Sequence, residues 1–146
     1  MSTTQVQLPD SRELLAGFET QLKQADGQFS PTITQRFNAG LYARQIELPA
    51  GSQAVGKIHK EGCFFILLTG TVKIGDEHGA ELHTAPKIIE SPAGAQRAFS
   101  AVTDTCLATI HAYGGTEKSA SDMADTLTVQ SFEEFERYQQ NKKDEV

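Results

Sequence analysis

The sequence predicts an all-β fold, a sandwich or barrel, and three observations carry that reading. Between residues 41 and 113, short apolar runs alternate with turn residues at close spacing and no helical stripe intervenes. The run Cys63–Leu68 is apolar at both parities, with Phe65 and Leu67 alternating against Phe64, Ile66 and Leu68, the pattern of a strand buried between two layers. The chain has 146 residues, 38% hydrophobic and 22% charged, which suits one soluble domain able to bury a core without metal or disulfide staples.

The elements follow in order. In residues 1–40, Asp10 or Ser11 can cap a helix, with Glu13 placed as in a capping arrangement. Leu14, Leu15, Phe18 and Leu22 form one apolar stripe, and Gly27 is a stop. This segment is an N-terminal helical arm laid on a larger body. The strands expected next are 41–48, 54–58, 63–69, 71–75, 80–84, 87–91, 96–101 and 105–112. Turn residues punctuate them: Pro49-Ala-Gly51, Thr69-Gly70, Asp76-Glu-His-Gly79, Pro86, Pro92-Ala-Gly94 and Thr103-Asp104. Residues 114–146 begin as a loop from Gly114 to Ser121 and end in a short helix. Ser131 and Glu134 form its capping box, Phe132, Phe135 and Tyr138 its apolar face, and Lys142 and Lys143 complement its dipole.

Charge and composition exclude several classes. The net charge is −6, and the segments 1–40, 41–113 and 114–146 contribute −1, −1 and −4, so the acidity belongs mostly to the tail. With no long basic run, phosphate-backbone binding is not expected, and nucleic acid is not a predicted partner. The longest apolar run falls far short of the roughly 20 residues of a membrane span, so no membrane partner is expected. The first residues show neither a basic start nor an apolar core, so no secretory signal is expected. Two cysteines do not make a disulfide framework and fit a reducing compartment, so the expected location is cytoplasmic.

Candidate chemistry concentrates between Gly56 and Gly70. On a strand, His59, Glu61 and Cys63 share one parity, and imidazole, carboxylate and thiolate are ligands for Zn²⁺ or Fe²⁺. The bland alternative places Glu61 and Lys60 on a solvated loop and leaves Cys63 merely buried. No phosphate-binding glycine loop, nucleophile elbow or paired-cysteine motif is present. His78 falls in a turn and is expected to be solvated; His83 has the alternation of a rim position.

The same stretch resembles the cupin superfamily. Its first motif joins a glycine, a His-x-His pair, a carboxylate and a closing glycine; here His59, Glu61, Cys63 and Gly70 stand on the two histidines, the carboxylate and that glycine. Its second motif has a Pro-x-Gly turn followed by a histidine, matched by Pro92, Gly94 and Arg97. Strand 105–112 looks like the closing strand. The resemblance implies a cupin-like antiparallel β-barrel (jelly roll) over 41–113, an N-terminal helical arm over 1–40, and an acidic tail with a short helix over 114–146. More narrowly, the chain is similar to small single-domain cupins encoded by bacteriophages and bacteria. A homodimer paired through the sheets is the partner state the family implies.

The departures shape the functional expectation. Of the family's three metal-binding histidines only His59 stands, and Arg97, which cannot ligate a cation and repels it, occupies the third position. One reading is a degenerate cupin that binds a small anion through His59, Arg97 and Arg44, with Lys57 near the mouth, or serves as a structural or assembly module. A structural Arg97–Glu61 salt bridge is the bland counterpart. The rival is a metal-dependent isomerase, lyase or dioxygenase holding one divalent Zn, Fe, Ni or Mn through His59, Glu61 and Cys63, with His111 approaching if it faces inward. A third reading is a viral structural or host-interaction protein whose terminal arms dock on neighbouring subunits, in the host cytoplasm or the virion.

Overall fold

The computed structural model describes residues 31–145, and the helix candidate that follows Asp10 lies outside them. The described elements are β1 (Thr32–Asn38), β2 (Leu41–Leu48), β3 (Gln53–Val55), β4 (Ile58–His59), β5 (Cys63–Thr69), β6 (Thr71–Asp76), β7 (Gly79–Thr84), β8 (Lys87–Ser91), β9 (Ala98–Ala101), β10 (Thr105–Ala112), α1 (Ala120–Leu127), β11 (Thr128–Val129) and α2 (Phe132–Asp144). A five-stranded sheet runs β1-β2-β10-β5-β8, a four-stranded sheet runs β3-β9-β6-β7, and β4 pairs with β11. The architecture is thus the expected mostly-β one. Its described strands fall into three hydrogen-bonded sheets and do not close into one continuous barrel.

Alternation decides which side chains meet between the two large sheets. Leu48 of β2, Phe65 and Leu67 of β5 and Leu107 of β10 pack against Val72 and Ile74 of β6 and Ala101 of β9. Phe65 and Phe99 stack across the gap with centroids 5.6 Å apart and planes 7° apart. The opposite parity of β5 faces outward, contrary to the two-sided burial expected of it. Phe64 is 50% and Leu68 44% exposed, because nothing among the described residues covers that face.

Three further differences have local causes. Residues 32–38, within the segment read as a helical arm, form a strand hydrogen-bonded to β2 from Thr32↔Glu47 to Asn38↔Leu41. Ile33, Gln35 and Phe37 are its half-buried parity, a period of two that the apolar content alone did not reveal. The strand expected over 54–58 breaks at Gly56 and Lys57, so β3 joins β9 while β4 joins β11. Part of the loop expected after Gly114 is α1, capped by Ser119 Oγ accepting from the Asp122 amide at 3.2 Å. α2 begins where expected: Ser131 Oγ accepts from the Glu134 amide at 3.2 Å, and Glu134 Oε2 accepts from the Gln130 amide at 2.9 Å.

Gly70 is the tightest point of the frame. It links β5 to β6 at φ +93°, and a Cβ there would stand 2.3 Å from the Asp104 carbonyl oxygen. Gly51 has φ +84° and no atom within 4 Å of such a Cβ. Gly70→Ala is therefore expected to cost about 3 kcal/mol or more, from backbone collision added to left-handed strain, and Gly51→Ala about 1 kcal/mol from strain alone. Urea denaturation of the two variants measures the difference; equal losses would show that the Gly70 approach is not tight.

Candidate functional site

The register of the strands builds a graded interior. Across the five-stranded sheet, Ile33, Ile46, Leu107 and Leu67 form one inward row, and Gln35, Arg44, Thr109 and Phe65 form the next. The row after that carries Phe37, Tyr42 and His111. The four-stranded sheet repeats the gradient, since Arg97, Phe99 and Ala101 share one parity along the chain leading into and through β9. Between the sheets lies a cavity of about 260 Å³. Arg44, His59, Arg97, Thr109 and His111 line one part of it, and Ile46, Leu48, Ala54, Phe99 and Leu107 another.

The polar groups hold one another. Arg97 Nη1 donates to Ser91 Oγ, and its guanidinium lies 5.7 Å from the Phe65 centroid. Arg44 Nη1 reaches the Tyr42 hydroxyl at 3.2 Å and donates to the Ala120 carbonyl at 2.9 Å. Cys63 Sγ lies 3.3 Å from His59 Nδ1, and His111 Nε2 lies 2.9 Å from Thr109 Oγ1. The two imidazoles meet edge to face at 5.4 Å. Burial lowers the His59 pKa to about 4, aided by the charges of Arg97 and Arg44. Burial likewise lowers His111, 6% exposed, to about 4, aided by His59 and Arg44. Burial pushes the Cys63 thiol up, against opposing contributions from Ser91 and Arg97. At neutral pH, then, the imidazoles and the thiol are uncharged beside two cations. Burial draws the Arg97 pKa down, and the charge of Asp76 opposes that.

The C-terminal segment, expected as an arm outside the barrel, helps to build the site. Thr128 pairs with His59 in the β11–β4 ladder, and Ala124, Leu127 and Thr128 line the cavity. Met123 of α1 is fully buried, and the Lys60 amide donates to the Leu127 carbonyl at 2.9 Å.

The expected triad does not assemble. His59 ends β4, Cys63 begins β5, and the bend between them turns Glu61 away, which breaks the shared parity. Glu61 instead accepts from Lys142 Nζ at 2.8 Å and from the Tyr138 hydroxyl, on the outside against α2. Those two bonds hold the Glu61 carboxyl below its usual pKa, while the carboxylate pushes the Tyr138 hydroxyl up to about 12. The Arg97–Glu61 salt bridge considered from sequence is replaced by this Lys142–Glu61 pair. Among the described residues, no three His, Cys, Asp or Glu groups are grouped to hold one ion. A divalent ion beside His59 and His111 would also face the charges of Arg44 and Arg97, so the donors present do not fit one. His78 is exposed in its turn, and His83, near Lys87 Nζ at 3.0 Å, does not line the cavity.

Sequence reasoning selected His59, Arg97 and Arg44, and the structure brings all three to one cavity. It did not select Thr109, Leu127 or Thr128. The signal for Thr109 was the alternation of 105–112, which puts Leu107, Thr109 and His111 on one side.

No family model matches the sequence, and no curated protein matches it. Among solved structures, the chain is similar to a cupin superfamily protein from Desulfitobacterium hafniense, with TM-score 0.51 and 9% identity over 58% of this chain and 79% of that one. The cupin domain of Schizosaccharomyces pombe Cnp3 gives TM-score 0.51 and 17% identity over 64% and 72% of the two chains. An RmlC-like cupin family protein with a double-stranded β-helix fold, from Methanocaldococcus jannaschii, gives 0.50 and 12% over 61% and 85%. At these identities the likeness is one of fold alone, the cupin fold. No helix among the described residues is long and apolar enough to cross a membrane.

The depressed imidazoles predict acid sensitivity. With folded pKa values of about 4 against 6.5 for the free groups, the unfolded chain binds more protons in between. Stability is therefore complete above pH 6.5 and falls as the pH drops toward 4, by about 3 kcal/mol for each imidazole. Denaturation at pH 7 and pH 4 should show that loss, reduced by about half in His111→Asn. An equally steep loss in the variant would contradict the assignment.

Proposed function

We propose that this cupin domain binds a small anionic molecule in the cavity between its sheets and uses no resident metal there. One observation carries the reading. Arg44 and Arg97 both face the cavity, and no carboxylate among the described residues lies within ion-pair distance of either. Buried charge is costly unless matched, and a guanidinium presents a planar fork suited to carboxylate or phosphate. Ser91, the Tyr42 hydroxyl and the Ala120 carbonyl hold the two guanidiniums by neutral hydrogen bonds, which orient the cations without an ion pair, the more distant charge of Asp76 acting on Arg97. His59 and His111, uncharged, supply polar edges without adding cations. The arrangement orients and neutralises an anion; the described groups do not suggest a bond-breaking step.

The test is calorimetric titration with a panel of small anions on the wild type, Arg44→Gln and Arg97→Gln. Each substitution is expected to weaken binding by roughly 10- to 100-fold, the scale of a charge-assisted hydrogen bond. Undiminished binding in both variants would overturn the proposal. So would stoichiometric Zn, Fe, Ni or Mn in untagged protein that is lost with His59→Ala.

A separate observation supports self-association as well. Phe64, Leu68, Ile88 and Leu41 are exposed on the outer face of the five-stranded sheet, at 50%, 44%, 69% and 49%. Large apolar side chains exposed together on one sheet face mark an association site. The reading is a homodimer paired through that face. Light scattering should report a dimer for the wild type and a monomer for the double variant Phe64→Glu, Ile88→Glu; a monomeric wild type would contradict it.

A further inference from the structure

We infer that the ligand is a monocarboxylate bearing a short apolar chain, held with its head between Arg44 and Arg97 and its tail along the Ile46–Leu107 row. The inference rests on the anion-binding reading and adds the class of anion. It comes from the direction of the gradient. Moving along β2 from Arg44 to Ile46 to Leu48 replaces a guanidinium by aliphatic side chains, and β10 changes in step from Thr109 to Leu107. The facing sheet changes in the same direction, from Arg97 to Phe99. The Phe65–Phe99 stack and the Arg97–Phe65 approach tie the two gradients together, so the polar ends coincide. One end of the cavity is thus suited to a charge and the other to hydrocarbon.

The same features argue against other small anions. Phosphate would satisfy the guanidiniums and leave the Ile46, Leu107 and Phe99 surfaces covered only by water. A dicarboxylate would carry its second charge toward those surfaces, where it would lose its hydration without gaining an ion pair. The remaining lysine on the cavity wall, Lys57, lies 3.7 Å from Asp125 and so has a carboxylate of its own. Size sets the chain length. At about 260 Å³ the cavity has room for roughly ten non-hydrogen atoms, a carboxylate with a tail of about six to eight carbons in all.

Calorimetry on the full chain with acetate, butanoate, hexanoate, octanoate and decanoate tests this, with hexanol, succinate and inorganic phosphate alongside. The expected result is one-to-one binding that tightens roughly fourfold per added methylene up to about octanoate and then levels off. Hexanol, succinate and phosphate should each bind at least about tenfold more weakly than hexanoate. Affinity that stays flat along the series, with phosphate or succinate equal to hexanoate, would overturn the inference and leave the anion site standing. Hexanol binding as tightly as hexanoate, or no anion binding at all, would overturn both.

Discussion

Two guanidinium groups facing one cavity, with no carboxylate among the described residues to pair them, set the terms for everything around them. A buried or half-buried cation must be solvated by something, and here the neighbours are neutral: a serine hydroxyl for Arg97, a tyrosine hydroxyl and a main-chain carbonyl for Arg44. Burial keeps both imidazoles uncharged, and the charge of Arg44 acts with it on His59 and His111, that of Arg97 on His59. The same field is adverse to a second cation, including a divalent metal. What remains favourable in that space is water or an anion.

The frame exists to put those groups in register. A period of two along β2 and β10 aligns Arg44 with Thr109 and Tyr42 with His111, while the next row, Ile46 with Leu107, is aliphatic. The close approach of Gly70 to the Asp104 carbonyl fixes where β5 turns into β6, and so fixes the position of Phe65 against Phe99. The C-terminal segment completes the enclosure. β11 adds to β4 beside His59, α1 supplies Ala124 and Leu127, and Glu61 fastens α2 through Lys142 and Tyr138. Glu61 therefore acts as an outer fastening rather than as a ligand of the site.

How much of this could be read from the residues depends on the range of the interaction involved. The strands β2, β5, β8 and β10 were legible because alternation and flanking turn residues are local signals. β1 was not, because its buried parity, Ile33, Gln35 and Phe37, is only partly apolar and gains its cover from β2. α1 is eight residues long, and Met123, its buried anchor, lies among small and polar neighbours, so no stripe announces it. Arg97 and His59 stood out because they occupy histidine positions of the motifs the chain resembles, and they and Arg44 line one cavity. The grouping of Glu61 with His59 and Cys63 failed because parity holds only within one strand, and a bend separates β4 from β5. The partner of Glu61 sits 81 residues away on α2, a distance no local pattern reports.

The central claim, that Arg44 and Arg97 present to the cavity charge that no carboxylate among the described residues pairs, is most directly tested by following the imidazole resonances of His59 and His111 through a pH titration by NMR. The account predicts midpoints near 4 in the free protein, each moving up by about a pH unit when a carboxylate occupies the cavity and cancels the neighbouring charge. Midpoints near the ordinary 6.5 in the free protein, or midpoints near 4 that a bound carboxylate leaves unmoved, would contradict it.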